Sequence, residues 1–563
     1  MDLILLVIDA VEGVRPQTVE HLNIIDLLGI STGIVVITKI DMAPEIQVEA
    51  VVEQAKKLLK GKLLEGSPVV RVSSVTLQGF DELKNTIIQQ INSVKPPHRS
   101  YSAPRLPVDR VFVMPGFGVV ATGTLIGGNI SKQDLVNIMP GAARARVRGI
   151  EVHSEQVEIA LPGQRVALNL SGVTKQDINR GDVICDAALS ESTDRVDTVL
   201  RIVDSCKRIF ENWIRVRFFS GTSEVFGRAV LLSADEGLLP GDEGYIQFRL
   251  ESPVFVFRGD RFIIRDFTNQ ETLGGGEILN PFPSKHRRLS EETIRRLDRW
   301  RSADDSELVS LVADTGNSIS IHENALKYYL PYSGNRQEEL LRGMEEKGII
   351  LRYVSGDKRF IASADRMNRM RDRILEELSR FHKERSLAEG ANYSRIRSQL
   401  DVDEATFDLL LQELIKDGEV SRTGNLLKLA SHQATFTDKD LKISDQIEQV
   451  FLQKGFLPPE EKELLMLLDS YSRDDVQDVF QALLKQGKLV RISDDIILHP
   501  AVVEKAQEAL KEFLQRRHQI TMSEFRQLMN TSRKYAVPFM EYCDAIGFTV
   551  RDGNFRRLKT EGR

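Results

Sequence analysis

The sequence predicts a multidomain chain. A parallel α/β segment comes first, then two all-β barrels, then four helical repeats each closed by a β-hairpin. Three observations predict this order. Residues 3–94 alternate continuous apolar runs with helical spacings. Residues 105–281 change to short alternating runs broken by Pro-Gly and Gly-Gly pairs, a barrel pattern. Beyond residue 285 a helix–Gly–hairpin unit recurs, with its glycines 70, 69 and 60 residues apart. A length of 563 residues has room for all of these modules.

Composition narrows the class. An apolar share of 41% and a charged share of 28% predict packed cores and not disorder. Cys185, Cys206 and Cys543 show no ligand spacing, so neither a disulfide framework nor a metal site is expected. No apolar run is long enough to span a bilayer, and Met1-Asp2-Leu3 lacks a basic leader. The expectation is a cytoplasmic protein with no membrane partner. Charge is uneven. Residues 505–563 hold 12 Lys and Arg against 7 Asp and Glu, a net of +5 in a chain of net −6. A polyanion partner is expected for that end only.

The elements follow in order. Leu3–Asp9 and Gly33–Thr38 are continuous β-branched or aliphatic runs, as in strands buried on both faces. Between them Val19, Leu22, Ile25 and Leu28 mark a helix that Gly29 stops. A helix from Glu45 to Leu59, a strand from Val69 to Ser74 and a helix from Phe80 to Val94 complete β-α-β-α-β-α. Polar residues gather at the carboxyl ends of these strands, where open α/β sheets place ligands. Asp41 can accept from the N1–H and N2–H2 edge of guanine, and Lys39 can lay its stem along the purine.

The block Asp9-x-x-Glu12-Gly13-x-x-Pro16-Gln17-Thr18-x-Glu20-His21-Leu22 resembles the G domain of EF-Tu-class translational GTPases. The resemblance implies a guanine site from Thr38, Lys39, Asp41, Ser73 and Ser74, with GTP as cofactor. No Gly-x-x-x-x-Gly-Lys-Ser/Thr loop occurs in the chain, and the family's switch regions lie upstream of its first strand. Residues 1–98 are therefore expected to be the carboxyl-terminal part of a P-loop-type G domain. Without that loop the Mg²⁺ ligands are expected to be missing, no catalytic residue is assigned, and loss of hydrolysis is the expectation for the chain as it stands.

Lys95-Pro96-Pro97 marks a linker. The stretch Asp109-Arg110-Val111-Phe112 with Gly116-Phe117-Gly118 through Thr124 is similar to domain 2 of the same class, over residues 100–190. Gly259 to Asp266 and Leu273 to Pro281 resemble domain 3, over residues 193–283. The branch that reads selenocysteine lines its aminoacyl pocket with an Asp-Arg pair and a second Arg. The resemblance thus implies Asp109, Arg110 and Arg165 around the selenocysteinyl group. A selenol is more acidic than a thiol, whose pKa is about 8.5, so two guanidiniums favour its anion over a serine hydroxyl.

Four winged helices are expected, over residues 288–363, 366–432, 438–500 and 503–563. The third carries 8 Lys and Arg against 13 Asp and Glu, unsuited to a polyanion. In the fourth, Thr531 or Ser532 is the expected N-cap of a helix with Arg533 and Lys534 in its first turn, a placement that suits phosphate. Arg551, Arg556 and Arg557 flank the hairpin turn, and Tyr535 is a stacking candidate. This segment resembles the last winged helix of the bacterial selenocysteine-specific elongation factors. The resemblance implies an mRNA hairpin, selenocysteinyl-tRNA and the ribosome as partners of a monomer. A generic EF-Tu-like factor with appended domains, or a winged-helix regulator of duplex DNA, is the alternative.

Overall fold

The computed structural model describes residues 2–94, 103–115, 118–268, 271–314, 320–400, 402 and 404–559. The linker at Lys95-Pro96-Pro97 and Gly116-Phe117 of the domain 2 motif lie outside them. The chain forms two compact units, Met1–Met367 and Asn368–Arg563.

The first unit opens with strands β1 (Ile4–Asp9), β2 (Gly33–Thr38) and β3 (Val69–Arg71), parallel and in the order β1-β2-β3. Leu6 lies opposite Val35, and Val35 opposite Val69. Helices α1 (Pro16–Leu27) and α2 (Glu45–Leu59) bury Leu22, Val48, Val51 and Val52 against one face. Helix α3 (Phe80–Ser93) covers Val36 and Val70 on the other. Leu5 and Val7 of the edge strand stay 44% and 57% exposed. The third strand is shorter than expected, because from Val72 the chain bends into a loop fastened by Ser73.

Two barrels follow. The first closes when the strand Arg165–Ser171 pairs with both Gly118–Thr124 and Ala143–Val152. The second is a closed six-stranded barrel. Its run Gly274-Gly275-Gly276 has a packing reason. A Cβ on Gly276 would sit 1.9 Å from the Val199 carbonyl, and one on Gly275 2.5 Å from that of Phe262. Arg105 of the first barrel grips Asp260 of the second through two bonds of 2.8 and 3.0 Å. Helix α1 seats on the second barrel. Glu20 accepts from Arg265 and Thr272, Asn23 donates to Ser205, and Leu27 joins the barrel core. The guanine-side elements and the second barrel are thereby one packed body.

The first winged helix is in this unit too, with helices Glu291–Ser302, Asp305–Asp314 and Asn335–Glu346 and a three-stranded sheet. Its junction with the barrel buries Asp197, which accepts from Gln247 at 2.9 Å and bonds His286 at 2.7 Å. The second unit holds three further modules, each with three helices and a hairpin. The glycines of the repeat, Gly348, Gly418, Gly487 and Gly547, all adopt left-handed φ, from +67° to +76°. A helix that must stop and turn into a strand needs that conformation, and glycine takes it without strain.

In the second module the rings of His382 and His432 stack with centroids 3.8 Å apart. Burial, with the nearby His432 and Lys428 charges, lowers the pKa of His382 from 6.5 to about 4. His432 is lowered as well, by burial and Lys428. The unfolded chain therefore takes up these protons first. Stability tied to His382 is complete above pH 6.5 and lost as pH falls through about 4, and His432 contributes in the same direction. For His382 the loss amounts to about 3 kcal/mol. Hydrogen exchange of residues 391–429 at pH 7 and pH 5 should show local loosening at the lower pH. Substituting His382→Phe should flatten the difference; an unchanged difference would refute the assignment.

Candidate nucleotide, aminoacyl and RNA sites

The guanine candidates meet at the carboxyl ends of β2 and β3. Asp41 stands exposed in a single 3₁₀ turn, Ile40–Met42. Lys39 adopts a left-handed φ of +58°, and its Nζ lies 2.6 Å from Asp9. That contact holds Asp9 below the usual carboxylate range and raises Lys39. The other Asp9 oxygen accepts from the backbone of Val11 and Glu12, so the ends of β1 and β2 are tied together. Thr38 points its hydroxyl back to the Ile8 carbonyl, at 3.4 Å.

The two serines separate in role. Ser73 is fully buried, donates its N–H to Gln78 and accepts from Val75 and Thr76. Its hydroxyl is spent on the shape of the loop. Ser74 is exposed.

The aminoacyl candidates come together from 56 residues apart. Arg165 Nη1 lies 2.6 Å from Asp109, whose other oxygen accepts from Thr122 at 2.6 Å. Asp109 sits where the register of its strand shifts, between Val108 and Arg110. A shift of this kind can turn neighbouring side chains toward one place. Burial raises the Asp109 pKa, but the Arg165 and Thr122 bonds and the charges of Arg165 and Arg110 outweigh it, and the net shift is downward. Arg165 is 54% exposed and already paired, and Arg110 is exposed.

A fourth cluster was not foreseen. On the second barrel Arg195 lies opposite Arg249, Arg249 opposite Arg228, and Arg228 opposite Arg215. Directly opposed residues share a face, so four arginines form one row across four strands, about 14 Å long. Like charges so placed repel. Arg215 alone has a tight bidentate partner, Glu251, at 2.7 Å. Aromatic rings attend three of the four: Arg228 and Arg249 flank Trp213 at 5.6 and 5.2 Å, and Arg215 lies 4.3 Å from Phe267. Trp213 is 44% exposed with φ of +70°, a conformation costing a bulky residue roughly 1–3 kcal/mol. Alternation in each strand places every Arg outward, but only register aligns them.

In the last module the helix Arg533–Ala545 starts at Ser532, whose side chain makes no cap bond. Tyr535 donates its N–H to the Ser532 carbonyl at 3.2 Å, and no cap side chain takes those of Arg533 and Lys534. Arg533 is exposed; Lys534 reaches Glu460 at 3.3 Å. Tyr535 is half-buried against the module core. Arg551 and Arg557 are exposed, the latter paired with Asp552 at 3.1 Å. Arg556 is 6% exposed and bonded to Asp544 at 2.8 Å. It braces the hairpin from inside, which corrects its reading as a surface contact.

A protein of Desulfomicrobium baculatum named selenocysteine-specific elongation factor is 30% identical over 561 residues, covering 99% of this chain and 88% of that one. The chain belongs to the selenocysteine-specific elongation factor family. The factor of that name from Escherichia coli (strain K12) is 26% identical over 99% of this chain and 87% of its own length. Family profiles match in order: the elongation factor Tu GTP binding domain over residues 1–93 and elongation factor Tu domain 2 over 118–185. The selenocysteine-specific elongation factor β-barrel domain follows over 196–285, and elongation factor SelB winged helices over 375–429 and 512–558. A crystal structure of a bacterial selenocysteine-specific elongation factor, EF-Sec, shares the fold with a TM-score of 0.61 at 23% identity, over 99% of this chain and 86% of that one. Among the described residues no helix is long and apolar enough to cross a membrane.

Proposed function

We propose that this chain carries selenocysteinyl-tRNA on its two barrels and an mRNA hairpin on its last winged helix, for delivery to the ribosome at a recoded UGA. The observation that carries the reading is the in-register row Arg195, Arg249, Arg228 and Arg215. A row of guanidiniums interleaved with exposed rings is costly in a free surface and suits a phosphate backbone. On the other barrel, Arg110 and Arg165 supply the cationic rim for the selenolate, with Asp109 positioning Arg165. At the guanine site Asp41 reads the base edge, the Lys39 stem covers the ring, and Ser74 approaches the carbonyl side. GTP is the nucleotide this donor set fits. It would supply the signal that releases the tRNA.

The two RNAs occupy different modules, so they bind together. That arrangement raises the local concentration of charged tRNA beside one codon. Native-gel titration of the chain with selenocysteinyl-tRNA and a hairpin from a selenoprotein message should give one species holding both. Mutual displacement, or binding of neither, would overturn the reading.

A further inference from the structure

We infer that the outer face of the last hairpin is a stacking platform for one unpaired base of the RNA, with Phe555 as its ring. The inference rests on the reading of this module as RNA-binding. The hairpin pairs Thr549–Asp552 with Phe555–Leu558 across Gly553-Asn554. Gly553 takes φ of +60°, as a two-residue turn requires at its first position. Val550 lies opposite Arg557, and Asp552 opposite Phe555. These four side chains therefore share one face. The other face carries Thr549 and Arg556, both buried on Asp544.

The outward face is unusual for a surface. Val550 is 47% and Phe555 38% exposed, beside the exposed Arg557. The other aromatic side chains described in the module are spoken for. Phe525 and Phe539 are fully buried, and Phe513, Tyr535, Tyr542 and Phe548 pack against the same core. Phe555 is the aromatic of this module that is free to meet a flat partner. The Asp552–Arg557 pair beside it is open to water, so it holds Arg557 weakly and yields to a phosphate. A ring presented at a hairpin tip on the same face as a guanidinium matches a base that has left its stack, with a phosphate beside it. A paired duplex offers no such base.

The test uses the full chain and stem-loop RNAs selected on it from a random-loop pool. Each selected RNA is compared with the same stem as a fully paired duplex. Phe555→Ala should weaken stem-loop binding at least ~10-fold and leave duplex binding unchanged. Phe555→Trp should retain it, and Phe555→Leu should fall with Ala. A 2-aminopurine at the unpaired position should be quenched by the unaltered chain and not by Phe555→Ala. Arg533→Ala is the companion variant, expected to weaken both RNAs. If Arg533→Ala weakens binding while Phe555→Ala does not, the platform is refuted and the RNA reading survives. Full retention by Phe555→Leu, or equal loss on duplex, also refutes stacking. Should the unaltered chain select no stem-loop, both inferences fall.

Discussion

A chain carrying Arg228→Glu is expected to bind aminoacylated tRNA about 100-fold more weakly than the unaltered chain at low salt. Arg228 is an interior member of the row, with Arg249 on one side and Arg215 on the other. Reversing its charge removes one phosphate contact and places a carboxylate where the next phosphate must pass. Like-charge placement of this kind costs several kcal/mol, and each 1.4 kcal/mol is tenfold in affinity. The new Glu also pairs with its two neighbours and takes them from the RNA. The logarithmic dependence of affinity on salt should flatten by about one contact or more. Glu251→Gln is the opposing control. It frees Arg215 from its bidentate partner, so affinity should rise and the salt slope steepen. Filter binding across a salt series decides the matter. An Arg228→Glu chain with unaltered affinity and slope would remove the barrel from the tRNA site.

The second large effect concerns the amino acid. Arg165→Ala is expected to reduce the preference for selenocysteinyl- over seryl-tRNA about 10- to 100-fold, the worth of a charge-assisted bond. Seryl-tRNA affinity should barely change, since a neutral hydroxyl gains little from a guanidinium. The same separation should appear with pH in the unaltered chain. As the selenol protonates in acid the preference fades, while seryl-tRNA binding stays level. Because Asp109 already holds Arg165 at 2.6 Å, the selenolate must share that guanidinium or use Arg110. Arg110→Ala should therefore lower the preference as well. Equal losses for both tRNAs would make the pair a general support of the acceptor end.

Much of this molecule is written locally. A run such as Gly33–Thr38 reads as a strand buried on two faces, but the like run Ile4–Asp9 falls at the sheet edge and keeps Leu5 and Val7 exposed, which only the packing decides. Glycines at helix ends announce the four modules, because no other residue turns there without strain. Alternation also tells that Arg215, Arg228 and Arg249 face outward. It does not tell which outward residues become neighbours. Strand register is settled by turns, bulges and barrel closure, which join residues up to 54 positions apart from Arg195 to Arg249.

Arg556 and Arg557 show the same limit at close range. One is taken inward by Asp544, and the next stays in water. Hairpin pairing puts Arg556 on the same face as exposed Arg551, so periodicity alone could not separate them. What the chain determines by itself is the kind and order of its elements, since these depend on near neighbours. Which charges stand together, and which are consumed inside, is decided by packing between segments remote in sequence.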